Sequence, residues 1–416
     1  VDDFSFRASY GQSGRAPRYD YRYFNIYGNF NSEYLGMSGV YPQNIELENL
    51  RWETLTGQNI GLNLQLFDRR IMLDVDVYKN RTEDLLFQNV DLTTVSGYNN
   101  LSDQNVGTLD NQGWEVGLYT TPVKTDKWKV DFNFNIARNQ NIIREISEFY
   151  PNERGNVDRN GEFKRFLQTD NPFGSFYGYR FKGVYPDLES TQARDANGNV
   201  ITGPNGQTVY MRFNYPNTDY VFQPGDAIYE DINKDGNIDS RDVVYLGNSN
   251  PKFTGGFGPS VTFNDQFKLL LFFTYRLDYD IVNGTDMLTT NMYTYDNQST
   301  AVLSRWRNPG DQTDMPRAIY GAGYNWLGSD RYVEDASFVR FRSATFSYNF
   351  TKPFLKKWKL DDLRVYVTAD NLLTFTNYRG QDPEVNMRGG DPFGMAIDYS
   401  RTPPTRRFTL GIQTRF

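Results

Sequence analysis

The residues from Asp231 to Asp242 read DINKDGNIDSRD, a spacing with evident chemical meaning. Side-chain oxygens fall at the first, third and fifth positions (Asp231, Asn233, Asp235), a glycine at the sixth allows a sharp turn, and the seventh (Asn237) offers a backbone carbonyl. Asp239 and Asp242 complete the set at positions nine and twelve. A hard divalent cation needs this density of oxygen, and unneutralised carboxylates so close together would repel one another. The expected ligand is Ca2+ in a structural role, stiffening a loop, with Ile238 packed inward against its support. The competing reading is a metal-free Asn-Asp-Gly turn, and Asp242 stands where the motif prefers the longer Glu. No flanking pair of amphipathic helices is apparent, so a calcium switch is not expected.

Little other catalytic chemistry is open to this chain. It has no Cys, which removes thiolate nucleophiles, thiolate metal sites and disulfides. It has no His, which removes the usual general base near neutral pH and imidazole ligands. Gly11-Gln12-Ser13-Gly14 lacks the spacing of a nucleophile elbow. Paired carboxylates are abundant but carry no positive sign of glycosidase work, and no enzyme activity is expected. With 44 Lys plus Arg against 51 Asp plus Glu, the formal charge of -7 lacks the basic excess that nucleic acid demands.

The elements that must position the Asp231–Asp242 loop show a strict period of two. Phe4, Phe6, Ala8 and Tyr10 alternate with polar residues, as do Ile60 to Leu66 and, after the turn at Asp68 to Arg70, Ile71 to Val77. Trp114 to Leu118 and Trp128 to Ile136 form a second expected hairpin, turning at Lys124 to Asp126. Phe253 to Phe263 and Phe267 to Leu277 form a third across Asn264-Asp265-Gln266, and Phe338 to Phe350 with Leu363 to Ala369 a fourth. Phe408 to Phe416 closes the chain, giving about ten strands. Connections alternate between brief turns and long segments, the latter at 12–56, 81–110, 139–252, 281–337 and 372–405. The longest apolar run, Leu269 to Phe273, is far too short for a membrane helix. Loops sorted by length onto two ends, with aromatic residues at 16% of the chain, predict an all-β transmembrane antiparallel barrel. A soluble solenoid is the alternative, disfavoured because no fixed period recurs. Residues 1–416 then read as one barrel portion, in which the long extracellular loop 139–252 carries the calcium loop 231–242. Arg7, Asp74, Asp76, Glu115, Lys129 and Asp131 are expected to face a polar lumen.

Ordered matches along the chain resemble the SusC/RagA type of TonB-dependent outer-membrane transporter. They include Arg7-Ala8-Ser9-Tyr10-Gly11, Leu50-Arg51-Trp52-Glu53-Thr54, Val77-Tyr78-Lys79-Asn80-Arg81 and Pro224-Gly225-Asp226 before the acidic loop. Others are Gly247-Asn248-Ser249-Asn250-Pro251, Asp330-Arg331-Tyr332-Val333-Glu334-Asp335, Ala369-Asp370-Asn371-Leu372-Leu373 and Asp382-Pro383-Glu384-Val385. The resemblance implies a barrel of about 22 strands closed by an N-terminal plug, in the outer membrane of a Gram-negative bacterium. It also implies import of a hydrophilic nutrient such as oligosaccharide or peptide, powered through TonB, with a SusD-like surface lipoprotein over the mouth and outer-membrane lipid around the wall. A scaffold subunit of a larger envelope assembly is the alternative function. The plug, the TonB-contacting segment and the remaining strands are expected outside this sequence, because ten strands alone would leave two open edges in lipid. Residues Arg406 to Phe416 are expected to pair with Leu363 to Asn371, with Phe416 at the periplasmic interface. Loop aromatics Tyr293, Tyr295, Trp306, Tyr320, Tyr324 and Trp326 are expected mainly to pack the loops.

Overall fold

The computed structural model describes residues 1–18, 20–21, 23–91, 95, 98, 100–146, 159–165, 168–215, 218–384 and 396–415. Its frame is one antiparallel sheet of ten strands, each bonded to its sequence neighbours within the set. They are β1 (Asp3–Arg15), β2 (Glu53–Leu66), β3 (Ile71–Glu83), β4 (Gly107–Lys124), β5 (Trp128–Ile146), β6 (Phe253–Phe263), β7 (Phe267–Leu277), β8 (Phe338–Asn349), β9 (Asp362–Thr376) and β10 (Arg407–Arg415). This is the meander that the period-two pattern predicts, with the first and last strands as its edges. β10 pairs with β9 from Asp362↔Arg415 to Asp370↔Arg407, the pairing expected of these two segments. Phe416 lies outside the described residues.

Several expected limits shift outward, since strands project beyond their apolar stretch. β3 runs to Glu83, β4 begins at Gly107 and β5 continues to Ile146, so the great loop starts well after residue 139. Lys124 belongs to β4, and the turn is made by Thr125, whose amide bonds the Trp128 carbonyl and whose hydroxyl accepts from the Trp128 amide. The β6–β7 turn has positive φ at Asn264 (50°) and Asp265 (57°), matching the twist of the hairpin. The β8–β9 connection holds a short helix, Lys352–Trp358.

Cross-strand register sorts the side chains onto two faces. Phe134, Leu118, Leu73 and Leu64 form one apolar row across β5 to β2, and Ile136, Val116, Val75 and Leu62 the next. Many residues of this face are exposed though large and apolar, including Phe4, Phe6, Ile60, Val77, Phe346, Val367, Leu410 and Ile412. An exposed apolar face that crosses ten strands is what a lipid-facing barrel wall requires. At its short-turn end, ring contacts run Trp128–Phe263–Phe267–Tyr348–Phe350–Phe354–Trp358, with centroids 4.5 to 6.4 Å apart. Rings with one wet edge settle at a headgroup level, so this chain of contacts marks one membrane interface.

On the opposite face Arg7 donates to Asn63 (2.8 Å), Asp74 (3.1 Å) and Asp76 (2.5 Å). Lys129 pairs with Asp131 at 3.0 Å. Glu115 stands opposite Asp76. All six expected lumenal residues therefore share the polar face. Strict alternation fails on β7, where Leu270 faces Ser260 and Thr345 on that same side, and Phe272 lies over Gly256. It also breaks in β8, where Phe346 and Ala344 pair outward with Leu269 and Leu271 but Phe341 pairs outward with Phe273, leaving Arg342 as an extra residue. Opposite Arg342, β9 has two residues in the gap, Asn371 and Leu372, and Asn371 sits at φ 55° and bonds the Thr405 carbonyl through its side-chain amide. Asn tolerates this left-handed geometry better than branched residues do. The outward set of β9 therefore stays on odd positions, and the strand continues to Thr376 with Leu373 and Phe375 exposed.

The buried core lies in the connections, not between the strands. Tyr177, Tyr179, Tyr185, Phe213, Phe222, Tyr229, Ile238 and Leu327 form its largest cluster. Small sheets frame it: Ser175–Gly178 with Val244–Asn248, Phe181–Val184 with Ala227–Tyr229, and Arg212–Tyr215 between Thr218–Val221 and Asn237–Ile238.

Candidate binding surfaces in the loop assembly

The long connections all leave the sheet at one end, and those after β5, β7 and β9 pack into buried clusters of their own. Asp382 and Glu384, in the connection after β9, reach back to the wall. Arg340 of β8, almost fully buried, meets Asp382 at 2.5 Å and Glu384 at 3.1 Å, while Arg342 and Arg276 also hold Glu384 at 3.0 and 3.5 Å. The Asp-Pro-Glu stretch is thus an ionic clasp between loop and strand, a role that its sequence alone does not announce. Val385 is outside the described residues.

Between these loops lies a cavity of about 800 Å³, whose lining includes Phe181, Lys182, Asp286, Asp314, Arg331 and Arg379. The helix Gly284–Thr290 supplies Asp286, with Asn283 as its cap accepting from the Asp286 amide. Glu334 holds Arg379 at 2.7 Å and raises its pKa, and Arg379 lies 3.6 Å from Asp286. Arg331 lies over the Phe181 ring at 5.0 Å. Both charge signs and an aromatic surface suit a hydrophilic guest bearing amide, hydroxyl or ionic groups. These residues are scattered over 181–379, so nothing in their spacing foretold the cavity.

Most of the loop aromatics do pack. The Trp306 indole nitrogen donates to the Pro186 carbonyl at 3.2 Å, Tyr324 stacks near Phe213 and Tyr220, and Trp326 meets Tyr293. Tyr295 and Tyr320 differ. They stack on each other at 4.3 Å, yet are 88% and 63% exposed, leaving ring faces for a guest or a covering protein.

All six residues of the acidic motif fall in one loop, and Ile238 is fully buried as expected. Asp231 accepts from the amides of Asp235 (3.3 Å) and Gly236 (2.8 Å), Asn233 from that of Asp235 (3.2 Å), and Asp235 from that of Asn237 (2.9 Å). Asp242 caps the turn by accepting from Ile232 (2.7 Å) and Asp239 (2.9 Å). Arg241 holds Asp239 at 2.5 Å and also pairs with Asp235. Burial pushes the Asp242 carboxyl up to about 6 despite those two backbone donors. Among the described residues, no group of three or more acidic side chains is gathered as a metal ion would gather them. In this arrangement the guanidinium is the cation nearest the motif.

Comparison with known proteins places the architecture. Residues 1–161 match the sequence family described as TonB dependent receptor-like, beta-barrel. The whole chain aligns at 29% identity with 40% of TonB-dependent receptor P3 of Formosa agariphila. Over 89% of its length it is 27% identical to TonB-dependent receptor SusC of Bacteroides thetaiotaomicron, covering 32% of that protein. The solved structure of the RagAB peptide transporter superposes on all of this chain and 41% of its own, with a TM-score of 0.73 and 21% identity. The chain thus spans about two fifths or less of the relatives it matches.

Proposed function

From the premise that this chain is a barrel portion of the SusC/RagA type of TonB-dependent receptor, in the outer membrane of a Gram-negative bacterium, we propose that the whole protein imports a hydrophilic nutrient. The observation that carries this reading is the sheet's division into an exposed apolar face and a charged one, with a polar cleft gathered over one end. Oligosaccharide or peptide fits the mixed charges of Lys182, Asp286, Arg331 and Arg379 and the open rings of Tyr295 and Tyr320. A SusD-like surface lipoprotein covers the loops, and TonB supplies energy through parts of the protein outside this chain. The test is uptake of isotope-labelled oligosaccharide and oligopeptide pools by cells whose only copy is the full-length gene. Uptake should vanish on gene deletion and on collapse of the proton gradient, and fall several-fold in a Tyr295→Ala, Tyr320→Ala double variant. Uptake unchanged by deletion would sink the proposal.

We also propose that Ca2+ binds the 231–242 loop, displacing Arg241 from Asp235 and drawing in Asp231, Asn233, Asp235, the Asn237 carbonyl, Asp239 and Asp242. The support is the turn geometry around Gly236 and four carboxylates against only Lys234 and Arg241 within the motif. Calorimetry of the full-length protein should show one calcium site, lost in Asp235→Ala and tightened in Arg241→Ala. No heat in any variant would contradict it.

A further inference from the structure

The outward face changes character partway along β2 to β5. On β3 the outward residues run Ile71, Leu73, Val75 and Val77, then Lys79 and Arg81. On β5 they run Phe132, Phe134 and Ile136, then Arg138 and Gln140. The four outward positions from Ile71 to Val77 span about 20 Å along the strand at ~3.4 Å per residue, or about 15 Å along the membrane normal at the ~40° tilt of such strands, the larger part of their ~25 Å apolar band. Lys79 and Arg138 therefore stand where hydrocarbon gives way to head groups, on the side of the long loops.

A hollow of about 340 Å³ opens there, lined by Gln58, Lys79, Gln112, Trp114, Arg138 and Gln140 among others. Its donors are largely unspent. Among the described residues the Gln58, Gln112 and Gln140 side chains have no hydrogen-bond partner, and Arg138 has neither hydrogen bond nor ion pair. Arg138 instead lies over the Phe253 ring at 5.9 Å, with Trp114 6.3 Å from that ring. Lys79 is only loosely held, 3.6 Å from Asp110. That carboxylate already carries Arg81 at 2.7 Å and Arg144 at 2.9 Å, the latter also held by Asp170 at 3.1 Å, so Lys79 and Arg138 are left as the least neutralised cations of the group.

We propose that this hollow binds the phosphate-bearing head group of a lipid in the outer leaflet. Arg138 and Lys79 neutralise the phosphate, the three amides take its ester and hydroxyl oxygens, and the acyl chains run down over Ile60, Val77 and Trp114. Ile60 and Val77 are 55% and 52% exposed, as a chain-contacting surface would be. The amphipathic stems of Lys and Arg suit this depth, because they lie along apolar surface while the charge meets the head group. The inference rests on the outer-membrane reading above and adds a site to it.

Full-length protein in nanodiscs of phosphatidylcholine doped with phosphatidylglycerol would be examined by native mass spectrometry. Wild type should retain phosphatidylglycerol preferentially, and Lys79→Gln with Arg138→Gln should lower that retention by about 30-fold, taking about fivefold per charge. Lys356→Gln, in the exposed helix at the opposite end, should not change it, and heat-modifiable migration would show that each variant is folded. Equal retention by wild type and the double variant, no preference over phosphatidylcholine, or displacement by millimolar inorganic phosphate alone would each overturn the site. A lipid-quenching probe at position 75 separates the two failures. If it is quenched, only the site is lost, and if not, the barrel reading falls as well.

Discussion

Phe134 and Asn133 are adjacent on β5, so replacing each with Arg puts the same charge at nearly the same depth on opposite faces. Phe134 pairs with Leu118 and Phe257 in the apolar row, whereas Asn133 pairs with Tyr119 and Gly258 and is exposed on the polar side. Arg on the lipid face near the bilayer centre costs roughly 2–4 kcal/mol, and the lost ring contact with lipid adds to that. At about 1.4 kcal/mol per tenfold, Phe134→Arg should shift the folding equilibrium by ~30-fold to ~1000-fold. Asn133→Arg keeps its charge in water and should cost well under 1 kcal/mol, the ordinary range for a surface change. The assay is denaturant-induced unfolding of the full-length protein refolded into phospholipid vesicles, followed by tryptophan fluorescence and by heat-modifiable migration. Equal losses for the two variants, or a larger loss for Asn133→Arg, would refute the assignment of faces.

Arg340→Ala leaves Asp382 and Glu384 facing a buried wall without their main cation, and breaking a buried pair typically costs about 3–5 kcal/mol. Limited proteolysis should then cut the connection after β9 at least tenfold faster while the barrel still resists heat in detergent; unchanged cleavage would dismiss the clasp. Asp280, in the loop strand Asp280–Val282, has its pKa raised by burial and by Asp335 and Asp278, against the Asn248 amide that it accepts. A raised carboxyl stabilises the fold while it is protonated, fully below its unfolded value of about 3.9, and loses that contribution as pH climbs through the folded value. Asp280→Asn should therefore gain stability relative to wild type between pH 4 and pH 8, read as slower loop proteolysis at the upper end; a constant difference across that range would contradict the assignment.

The strands were legible because lipid outside and water inside impose opposite demands on neighbouring residues, and that contrast survives without any partner strand. The pattern dims where a different force takes over. On β7 Leu270 and Phe272 face the side where polar residues are the rule, and in β8 the extra residue at Arg342 moves the apolar set from Phe346 and Ala344 to Phe341 and Val339. The loops were far less readable, since their core draws Tyr177, Phe213, Tyr229 and Leu327 from positions up to 150 residues apart, with no period to join them. The acidic motif shows the opposite limit. Its turn geometry follows from Gly236 and the alternating oxygens, but Arg241 is the partner that its carboxylates meet here, a pairing that the ligand spacing does not suggest. The cleft around Arg331 and Arg379 required the fold itself.

The chain has no cysteine, so a single introduced one carries a unique probe. Fluorophores attached at positions 74 and 75 of the full-length protein, reconstituted with spin-labelled lipid, test most directly whether this sheet is a membrane wall with its apolar face outward. The structure predicts strong quenching by lipid at position 75, where Val75 pairs with Leu62 and Val116, and quenching only by a water-soluble agent at position 74. Lipid quenching at 74 with aqueous quenching at 75 would reverse the faces, and no lipid quenching at either would contradict a membrane wall altogether.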